Sequence, residues 1–333
     1  MIGASAGGVE ALRTLVAALP RDYPAAIFVV LHIPPDAPSA LARVLGNVSA
    51  LRAHSALDGP FEPGNIYVAP PDRHLVIERG RMRVVGGPRE NCHRPAIDVL
   101  FRSAALAYGA RVTGVILSGT LDDGSAGLWS VKMRGGVAVV QDPVDALFPD
   151  MPRNALDTVN VDYCLPLADI PPALARIANE PLLAAAPQPD DNMQLEVNMA
   201  SQTSGTMDQL DRLGARSELT CPECGGSLWE MQQPPPRFRC HVGHAYSLRT
   251  LIAAQVDRVE SALWAGLRSI EESEALAKRL RDSARERGHT HSARMYEERV
   301  AEHGRNAETL RQLLRALPAE AVGEDPESKQ RAD

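Results

Sequence analysis

The feature that most constrains this chain is a run of small residues around a serine near its first residue. Residues 3–8 read Gly-Ala-Ser-Ala-Gly-Gly, and residues 9–19 have the composition of a helix. The pattern Gly-x-Ser-x-Gly is typical of a nucleophile elbow, a sharp strand-to-helix turn that presents a serine hydroxyl. The helix after such a turn directs its N–H groups toward the site where an oxyanion would form beside Ser5. Small residues before a helix also occur in phosphate-binding turns and in close helix–strand contacts, so partner residues must decide the function.

An elbow follows a buried strand, and strands are usually about five residues long. Only Met1 and Ile2 precede Gly3 in the sequence. We therefore expect the first strand to be a stub, or the chain to begin further upstream.

Composition excludes several classes of function. The 333 residues have a net charge of −7, which argues against binding to nucleic acid or to an anionic membrane. No apolar run reaches the ~18 residues of a membrane span, and no basic segment followed by an apolar stretch indicates a signal peptide. We expect a cytoplasmic protein without membrane insertion.

Strand-like and helix-like segments alternate through the first half of the chain. Apolar segments of strand length occur at residues 26–32, 66–69, 112–117 and 137–140, a hairpin pattern occurs at 74–85, and helical patterns occur at 39–45, 95–108 and 126–133. Apolar strands separated by helices predict an α/β fold whose sheet is mainly parallel and covered on both faces. In such sheets the functional residues gather at the carboxyl ends of the strands.

An activated serine needs a base and a carboxylate that orients the base. His32 closes the first apolar strand, and Asp122 and Asp123 follow the strand at residues 112–117. We hypothesise a triad of Ser5, His32 and Asp123. A histidine at a strand end is often structural, and an Asp-Asp-Gly turn is often only a helix cap. The order Ser, His, Asp also differs from the order in α/β-hydrolases, which argues against that fold.

Several longer motifs resemble a known family. The motifs are Ile-Gly-Ala-Ser-Ala-Gly-Gly at 2–8, His-Ile-Pro-Pro at 32–35, Ile-Tyr-Val-Ala-Pro at 66–70, His-Arg-Pro-Ala-Ile-Asp-Val-Leu-Phe at 93–101, Gly-Val-Ile-Leu-Ser-Gly at 114–119, Asp-Gly at 123–124 and Met-Pro-Arg at 151–153. In this order they resemble the catalytic domain of CheB-type protein-glutamate methylesterases of bacterial chemotaxis, over residues 1–178.

The resemblance implies a fold, an activity and site residues. It implies a three-layer αβα sandwich with a doubly wound sheet. It implies Ser5 as nucleophile, His32 as base and Asp123, rather than Asp122, as the orienting carboxylate. It further implies hydrolysis of glutamyl methyl esters on methylated chemoreceptors or similar helical signalling proteins, deamidation of receptor glutamines, and no cofactor for catalysis. The backbone N–H groups of Ala6 and Thr120 are our candidates for an oxyanion hole.

The sequence departs from the family in two respects. Full-length members carry a phosphorylatable receiver domain before the esterase, and this sequence has none, so we expect no control by receiver phosphorylation within it; control by other groups stays open. The family also has no standard counterpart for residues from 220 onward.

A cluster of cysteines and histidines in the later region predicts a metal site. Cys221 and Cys224 form a Cys-x2-Cys pair, and Cys240 and His244 form a Cys-x3-His pair. Two such pairs suit tetrahedral zinc, and a reduced knuckle without metal is the alternative. We expect His244 rather than His241 as the fourth ligand, because a residue adjacent to Cys240 rarely reaches the same ion.

The rest of the chain divides by composition. We expect a linker at residues 179–219 with one strand at 195–199, a zinc-binding knuckle at 220–246, a helical hairpin at 247–317 and a disordered tail at 318–333. The hairpin is expected to serve dimerisation or partner binding, and a solvated hairpin without a partner is the alternative.

Two competing functions come from other classes. One is a non-catalytic binding or regulatory protein on a degenerate esterase scaffold. The other is a dinucleotide-binding domain built on Gly3, Gly7 and Gly8, which lack the Gly-x-Gly-x-x-Gly spacing. The intact Ser5, His32 and Asp123 favour the esterase.

Overall fold

The computed structural model describes residues 1–38, 40–181, 188, 191–201 and 207–317. The described chain divides into two compact units, Met1–Leu251 and a second unit that begins at Ile252. No helix among the described residues combines the length and the apolar character needed to cross a membrane.

Strands and helices are numbered in chain order. The strands are β1 (Ile2–Ala4), β2 (Ile27–Leu31), β3 (Arg52–Ser55), β4 (Gly59–Pro60), β5 (Asn65–Val68), β6 (His74–Glu78), β7 (Arg81–Val85), β8 (Thr113–Ile116), β9 (Val137–Gln141), β10 (Tyr163–Leu165), β11 (Gly214–Thr220), β12 (Ser227–Met231), β13 (Arg237–Cys240) and β14 (Ala245–Ser247). The helices are α1 (Gly8–Ala17), α2 (Leu41–Gly46), α3 (Ile97–Tyr108), α4 (Ser125–Met133), α5 (Asp150–Thr158), α6 (Ile170–Asn179), α7 (Asp191–Ala200), α8 (Met207–Leu213), α9 (Leu248–Glu286) and α10 (Thr290–Ala316).

A seven-stranded parallel sheet forms the centre of the first unit, in the order β10-β9-β8-β1-β2-β5-β3. Successive residues of each strand point to opposite faces, so the sheet has two apolar cores. Helices α1, α2 and α6 cover one face, and α3, α4 and α5 cover the other. This arrangement confirms the predicted α/β fold, a three-layer sandwich with a parallel, doubly wound sheet.

Strand β1 has three residues and lies between β2 and β8, near the middle of the sheet. The Met1 ammonium donates a hydrogen bond to the carbonyl of Thr113 at 2.7 Å, and burial lowers its pKa to about 5. The elbow that follows β1 is therefore held at the centre of the sheet.

The prediction of a strand at residues 195–199 is wrong, because these residues belong to helix α7. Leu195, Val197 and Met199 alternate with polar residues, which suggested a strand. Tertiary packing favours the helix instead. Val197 and Ala200, three residues apart and therefore on one face of a helix, both pack against the apolar face formed by β6, β7 and α3. Helices α7 and α8 and all but the last residue of strand β11 thus lie in the range predicted as linker, while residues 182–187, 189–190 and 202–206 of that range lie outside the described part.

The cysteine-rich region is part of a four-stranded antiparallel sheet, β11-β12-β13-β14. Beyond β14, Asn91 N–H donates to the carbonyl of Ala245 at 2.7 Å, and Ala245 N–H donates to the carbonyl of Arg89 at 3.2 Å. The small sheet is therefore continued by a loop of the domain that contains the elbow.

Helices α9 and α10 pair as the predicted hairpin. Gly288 has φ +73° between them, and Arg311 pairs with Glu271 at 2.6 Å from helix to helix. The predicted tail at residues 318–333 lies outside the described residues.

Gly124 caps α4 directly after Asp123 and has φ +96°. A Cβ at Gly124 would lie 2.5 Å from Ile116 Cδ1 and 2.8 Å from Ile97 Cγ2.

We expect Gly124→Ala to lower the free energy of unfolding by about 2–4 kcal/mol in urea titrations, from backbone strain and overpacking together. Gly80→Ala is the control. Gly80 has φ +76° with no atom within 4 Å of its Cβ position, so strain alone should cost about 1 kcal/mol. Equal losses would show that the contacts with Ile97 and Ile116 do not matter.

Candidate active site

Ser5 lies on the turn between β1 and α1, as the elbow motif requires. Its N–H donates to the carbonyl of Ser118 at 3.0 Å, which joins the turn to the end of β8. A Cβ at Gly7 would lie 2.8 Å from Ser118 Oγ, and a Cβ at Gly119 would lie 2.8 Å from Ser5 Cβ. The small residues are therefore needed because two loops meet around the half-buried serine.

His32 follows β2 and lies between Ser5 and Asp123. Its Nδ1 is 3.1 Å from Ser5 Oγ, and its Nε2 is 2.7 Å from Asp123 Oδ2. Because an ionised carboxylate only accepts hydrogen bonds, Nε2 carries the proton and Nδ1 is left to accept from the serine hydroxyl. The three residues predicted from sequence are thus brought into one hydrogen-bonded series.

The carboxylate of Asp123 is buried, with 1% of its side chain exposed. Besides His32, its donors are the Ile97 N–H at 2.7 Å, the Asn91 amide at 2.9 Å and the Asp98 N–H at 3.3 Å. Burial alone would raise the pKa of Asp123, but the hydrogen bond from His32, the charge of His32 and the other donors lower it to about 2. Asp123 therefore stays ionised at neutral pH.

Two neighbouring carboxyl groups have raised pKa values. Burial and the adjacent Asp123 carboxylate raise the pKa of Asp98 to about 7. Burial raises the pKa of Asp122 to about 6, although a hydrogen bond from Ser247 Oγ at 2.7 Å opposes this shift. The two adjacent aspartates thus differ: Asp123 faces His32, whereas Asp122 faces the start of α9.

The ring of His93 stacks on the ring of His32, with 3.6 Å between centroids and 12° between planes. Burial and the neighbouring His32 lower the pKa of His93 to about 4, so the stacked ring is neutral. The ligand atoms of His32, His93 and Asp123 lie close enough together to suit a metal ion. However, both nitrogens of His32 already have partners in Ser5 and Asp123, which favours proton transfer.

The oxyanion-hole candidates flank the serine. Gly119 N–H donates a hydrogen bond to the carbonyl of Phe148 at 2.9 Å, and Ser118 Oγ donates one to the carbonyl of Ala6 at 2.8 Å. Within the described chain, no hydrogen bond is found from the N–H groups of Ala6 or Thr120. Both N–H groups are half-buried, and their role as an oxyanion hole stays a hypothesis.

The sequence did not reveal four residues around Asp123. Asp98 lies within the motif at residues 93–101 and Asn91 lies two residues before it, so the motif marks their neighbourhood but not their role. Ser247 and Thr250 contact Asn91 from the start of α9. A serine before a helical pattern, as at Ser247, signals an N-cap, but nothing in the sequence connects that cap to Asp123.

The four predicted metal ligands also lie together. Cys224 Sγ is 3.7 Å from Cys240 Sγ, and His244 Nδ1 is 3.7 Å from Cys221 Sγ and 3.6 Å from Cys240 Sγ. All four ligand atoms lie within 4.8 Å of one another, so this cluster is placed to hold a metal ion. His244 Nε2 contacts Glu223 at 3.2 Å, the carboxylate partner that metal-binding histidines usually have. His241 is exposed on the same turn.

A serine hydroxyl, a histidine and a buried aspartate in series at the carboxyl ends of parallel strands form the arrangement that serine hydrolases use. Comparison with known proteins gives the family. The model of the CheB methylesterase family matches residues 1–174. The chain belongs to the CheB methylesterase family, as the resemblance implied.

Individual relatives agree with this assignment. The chain is 42% identical to protein-glutamate methylesterase/protein-glutamine glutaminase 5 of Anaeromyxobacter dehalogenans, over 53% of this chain and 50% of that protein. It is 38% identical to a similarly named protein of Leptospira interrogans, over 53% of this chain and 93% of that one. The chain thus spans about half the length of the first relative and nearly all of the second.

A solved structure gives the same result. The crystal structure of the Thermotoga maritima CheB methylesterase catalytic domain has a TM-score of 0.51 and 32% identity, covering 53% of this chain and 96% of that domain.

The raised pKa of Asp122 predicts a pH-dependent effect of Asp122→Asn. Between its usual pKa and about 6, the folded state holds a proton that the unfolded state has lost, so stability of the parent falls as pH rises through this window. The asparagine variant lacks this loss and can still accept from Ser247. We expect urea titrations to give equal stability near pH 4 and a gain for the variant of about 1–2 kcal/mol at pH 8, reduced by partial solvent exposure. A difference independent of pH would contradict the raised pKa.

Proposed function

We propose that this chain is a serine hydrolase that demethylates glutamyl methyl esters on a methylated chemoreceptor or a related helical signalling protein. The single observation that carries the proposal is the series of hydrogen bonds from Ser5 through His32 to Asp123 in a CheB-family domain. Deamidation of glutamine at the same site is part of the proposal, because the relatives are named for both reactions. We place the reaction in the cytoplasm, where the substrate's signalling helices would lie.

The geometry supports a two-step mechanism. Ser5 Oγ attacks the ester carbonyl while Nδ1 of His32 accepts its proton. Methanol leaves with that proton, and water then hydrolyses the glutamyl-serine ester by the same route. Asp123, ionised and bonded to Nε2, fixes the tautomer and stabilises the imidazolium. The N–H groups of Ala6 and Thr120 would bind the oxyanion, where one donor contributes about 3 kcal/mol.

We further propose that the Cys221, Cys224, Cys240 and His244 cluster holds one structural zinc ion. A zinc tetrahedron with Zn–S bonds of about 2.3 Å has S···S edges of about 3.8 Å. The Cys224–Cys240 separation of 3.7 Å supports this ion. Four protein ligands leave no open position, which supports a structural role.

The hairpin of α9 and α10 is proposed to bind a partner or a second copy. Its apolar residues support this role, because Ile252, Val259 and Trp264 are each more than half exposed.

The catalytic proposal predicts the effects of four variants. Ser5→Ala, His32→Gln and Asp123→Asn should each lower the turnover number by roughly three to six orders of magnitude in a methanol-release assay on methylated receptor. Their effects should not add, because the three residues act as one unit. Asp122→Asn is the matched control and should cost about tenfold or less. Undiminished activity in Ser5→Ala would contradict the mechanism, and no hydrolysis by the parent would favour a non-catalytic scaffold.

The metal proposal predicts about one zinc per chain in protein purified under reducing conditions, measured by elemental analysis. The double variant Cys221→Ser, Cys240→Ser should lose the metal. His241→Ala should keep it, because His241 is exposed and stands apart from the cluster. Full metal retention in the double variant would overturn the ligand assignment.

A further inference from the structure

The side-chain amide of Asn91 links the small sheet to the active site. Its nitrogen donates to Asp123 Oδ1 at 2.9 Å and to Asp98 Oδ2 at 2.8 Å. Its oxygen accepts from the Ser247 N–H at 2.9 Å and from Thr250 Oγ1 at 3.1 Å, although the single Thr250 hydroxyl proton is shared with Ser247 Oγ at 2.9 Å and the Ser247 carbonyl at 3.3 Å. Both amide protons and the amide oxygen therefore have partners, and only one orientation of the amide faces its nitrogen to the carboxylates and its oxygen to the donors.

The loop that carries Asn91 is held on both sides. Asn91 has φ +52°, a left-handed conformation that asparagine tolerates. Glu90, before it, is buried and accepts from Arg102 of α3 at 2.6 Å and from Arg239 of β13 at 2.8 Å. The backbone of Asn91 pairs with Ala245 of β14. The conformation of this loop thus depends on contacts from residues 237–250.

The start of α9 adds further contacts. Ser247 caps the helix by accepting from the Thr250 N–H at 3.0 Å, and its hydroxyl donates to Asp122 at 2.7 Å. Thr250 is 1% exposed. One capped helix start therefore contacts both Asn91 and the residue next to Asp123.

The metal-ligand turn leads directly into these contacts. Cys240 ends β13 and His244 precedes β14, and Cys240 N–H donates to the carbonyl of His244 at 2.9 Å. Arg239 donates to the carbonyl of Gly243 at 2.9 Å. The turn that carries two ligands therefore fixes the start of β14.

We propose that β14 and the first turn of α9 position the catalytic carboxylate, with Thr250 and Ser247 holding the Asn91 amide that orients Asp123 toward His32. This inference rests on the proposed esterase function. It makes the small sheet and its Cys/His site a support of the active site. Asn91, Ser247 and Thr250 are positioning residues, since they act through Asp123.

The test compares variants of the full, zinc-loaded chain. For each variant we would measure kcat, KM and the chemical shift of the His32 Nε2–H proton by NMR. The signal of that proton is assigned by its absence in His32→Gln. Thr250→Val removes one donor to Asn91 and keeps the side-chain shape. We expect kcat to fall about tenfold with KM within about twofold, because substrate binding does not involve Asp123. The Nε2–H signal should move, and Thr250→Ser should restore both quantities.

Two further variants give the largest expected loss of kcat and a control with no expected loss. Asn91→Ala should lower kcat by about a hundredfold, since it removes the whole contact. Ser217→Ala is the matched control: its hydroxyl donates to the carbonyl of Leu228 at 3.0 Å in the same sheet, away from Asn91, and its kcat should equal that of the parent. Thr250→Ala replaces Thr250→Val if the valine does not fit.

The outcomes separate the two proposals. An active parent with an unchanged Thr250→Val variant, in kcat and in the NMR signal, would overturn the positioning role and leave the esterase standing. Failure of Thr250→Ser to restore kcat would also overturn it, because the loss would then be structural. A parent without hydrolysis, in which the Nε2–H signal still moves in Thr250→Val and returns in Thr250→Ser, would refute the esterase alone.

Metal removal tests the same connection. Chelation of the parent should lower kcat by at least about tenfold and move the Nε2–H signal, while chelation of Asn91→Ala should add little. An equal further loss in Asn91→Ala would show that the metal acts by another route.

Discussion

The rest of the active site depends on one buried carboxylate. Asp123 is 1% exposed, so its charge is tolerated only because His32, Asn91 and two backbone N–H groups donate to it. Those donors come from the end of β2, from the loop before α3 and from the first turn of α3. The parallel sheet brings the first of these to the same edge as Ser5. The loop that supplies Asn91 needs additional support, and the small antiparallel sheet provides it.

A group of buried ion pairs joins that sheet to α3. Glu196 of α7 accepts from Arg237 at 2.6 Å, and Arg239 reaches both Glu196 and Glu90. Burying such charges costs desolvation energy, so their benefit lies less in net stability than in fixing one arrangement of β13 against α3. That arrangement sets where β14 lies, and hence where the backbone of Asn91 is held. Removing a single partner would leave an unpaired buried charge.

Much of this could be predicted from sequence. The apolar segments gave β2, β8 and β9 within about two residues, since buried parallel strands have continuous apolar composition. The elbow, His32 and Asp123 are marked by local motifs, so their meeting at one sheet edge followed from the topology. Helix α7 was missed because alternation at Leu195, Val197 and Met199 competed with a helical spacing that only tertiary contacts reveal. Asn91, Ser247 and Thr250 could not be found, because a contact over a separation of 159 residues leaves no local pattern.

Burial and the neighbouring Asp123 carboxylate together make Asp98 easy to protonate. Arg102, Arg237 and Arg239 face Glu90 and Glu196 in one buried group, and Asp98 lies near Arg102 at its edge. The charge of Arg102 opposes the shift, because it favours the ionised form of Asp98, whereas the charge of Glu90 adds to it. The pKa of Asp98 is accordingly raised to about 7 by burial and by Asp123. A proton on Asp98 removes a negative charge that would otherwise repel the Asp123 carboxylate. The buried arginines therefore hold the small sheet in place, whereas burial and the repulsion between Asp98 and Asp123 set the protonation of Asp98.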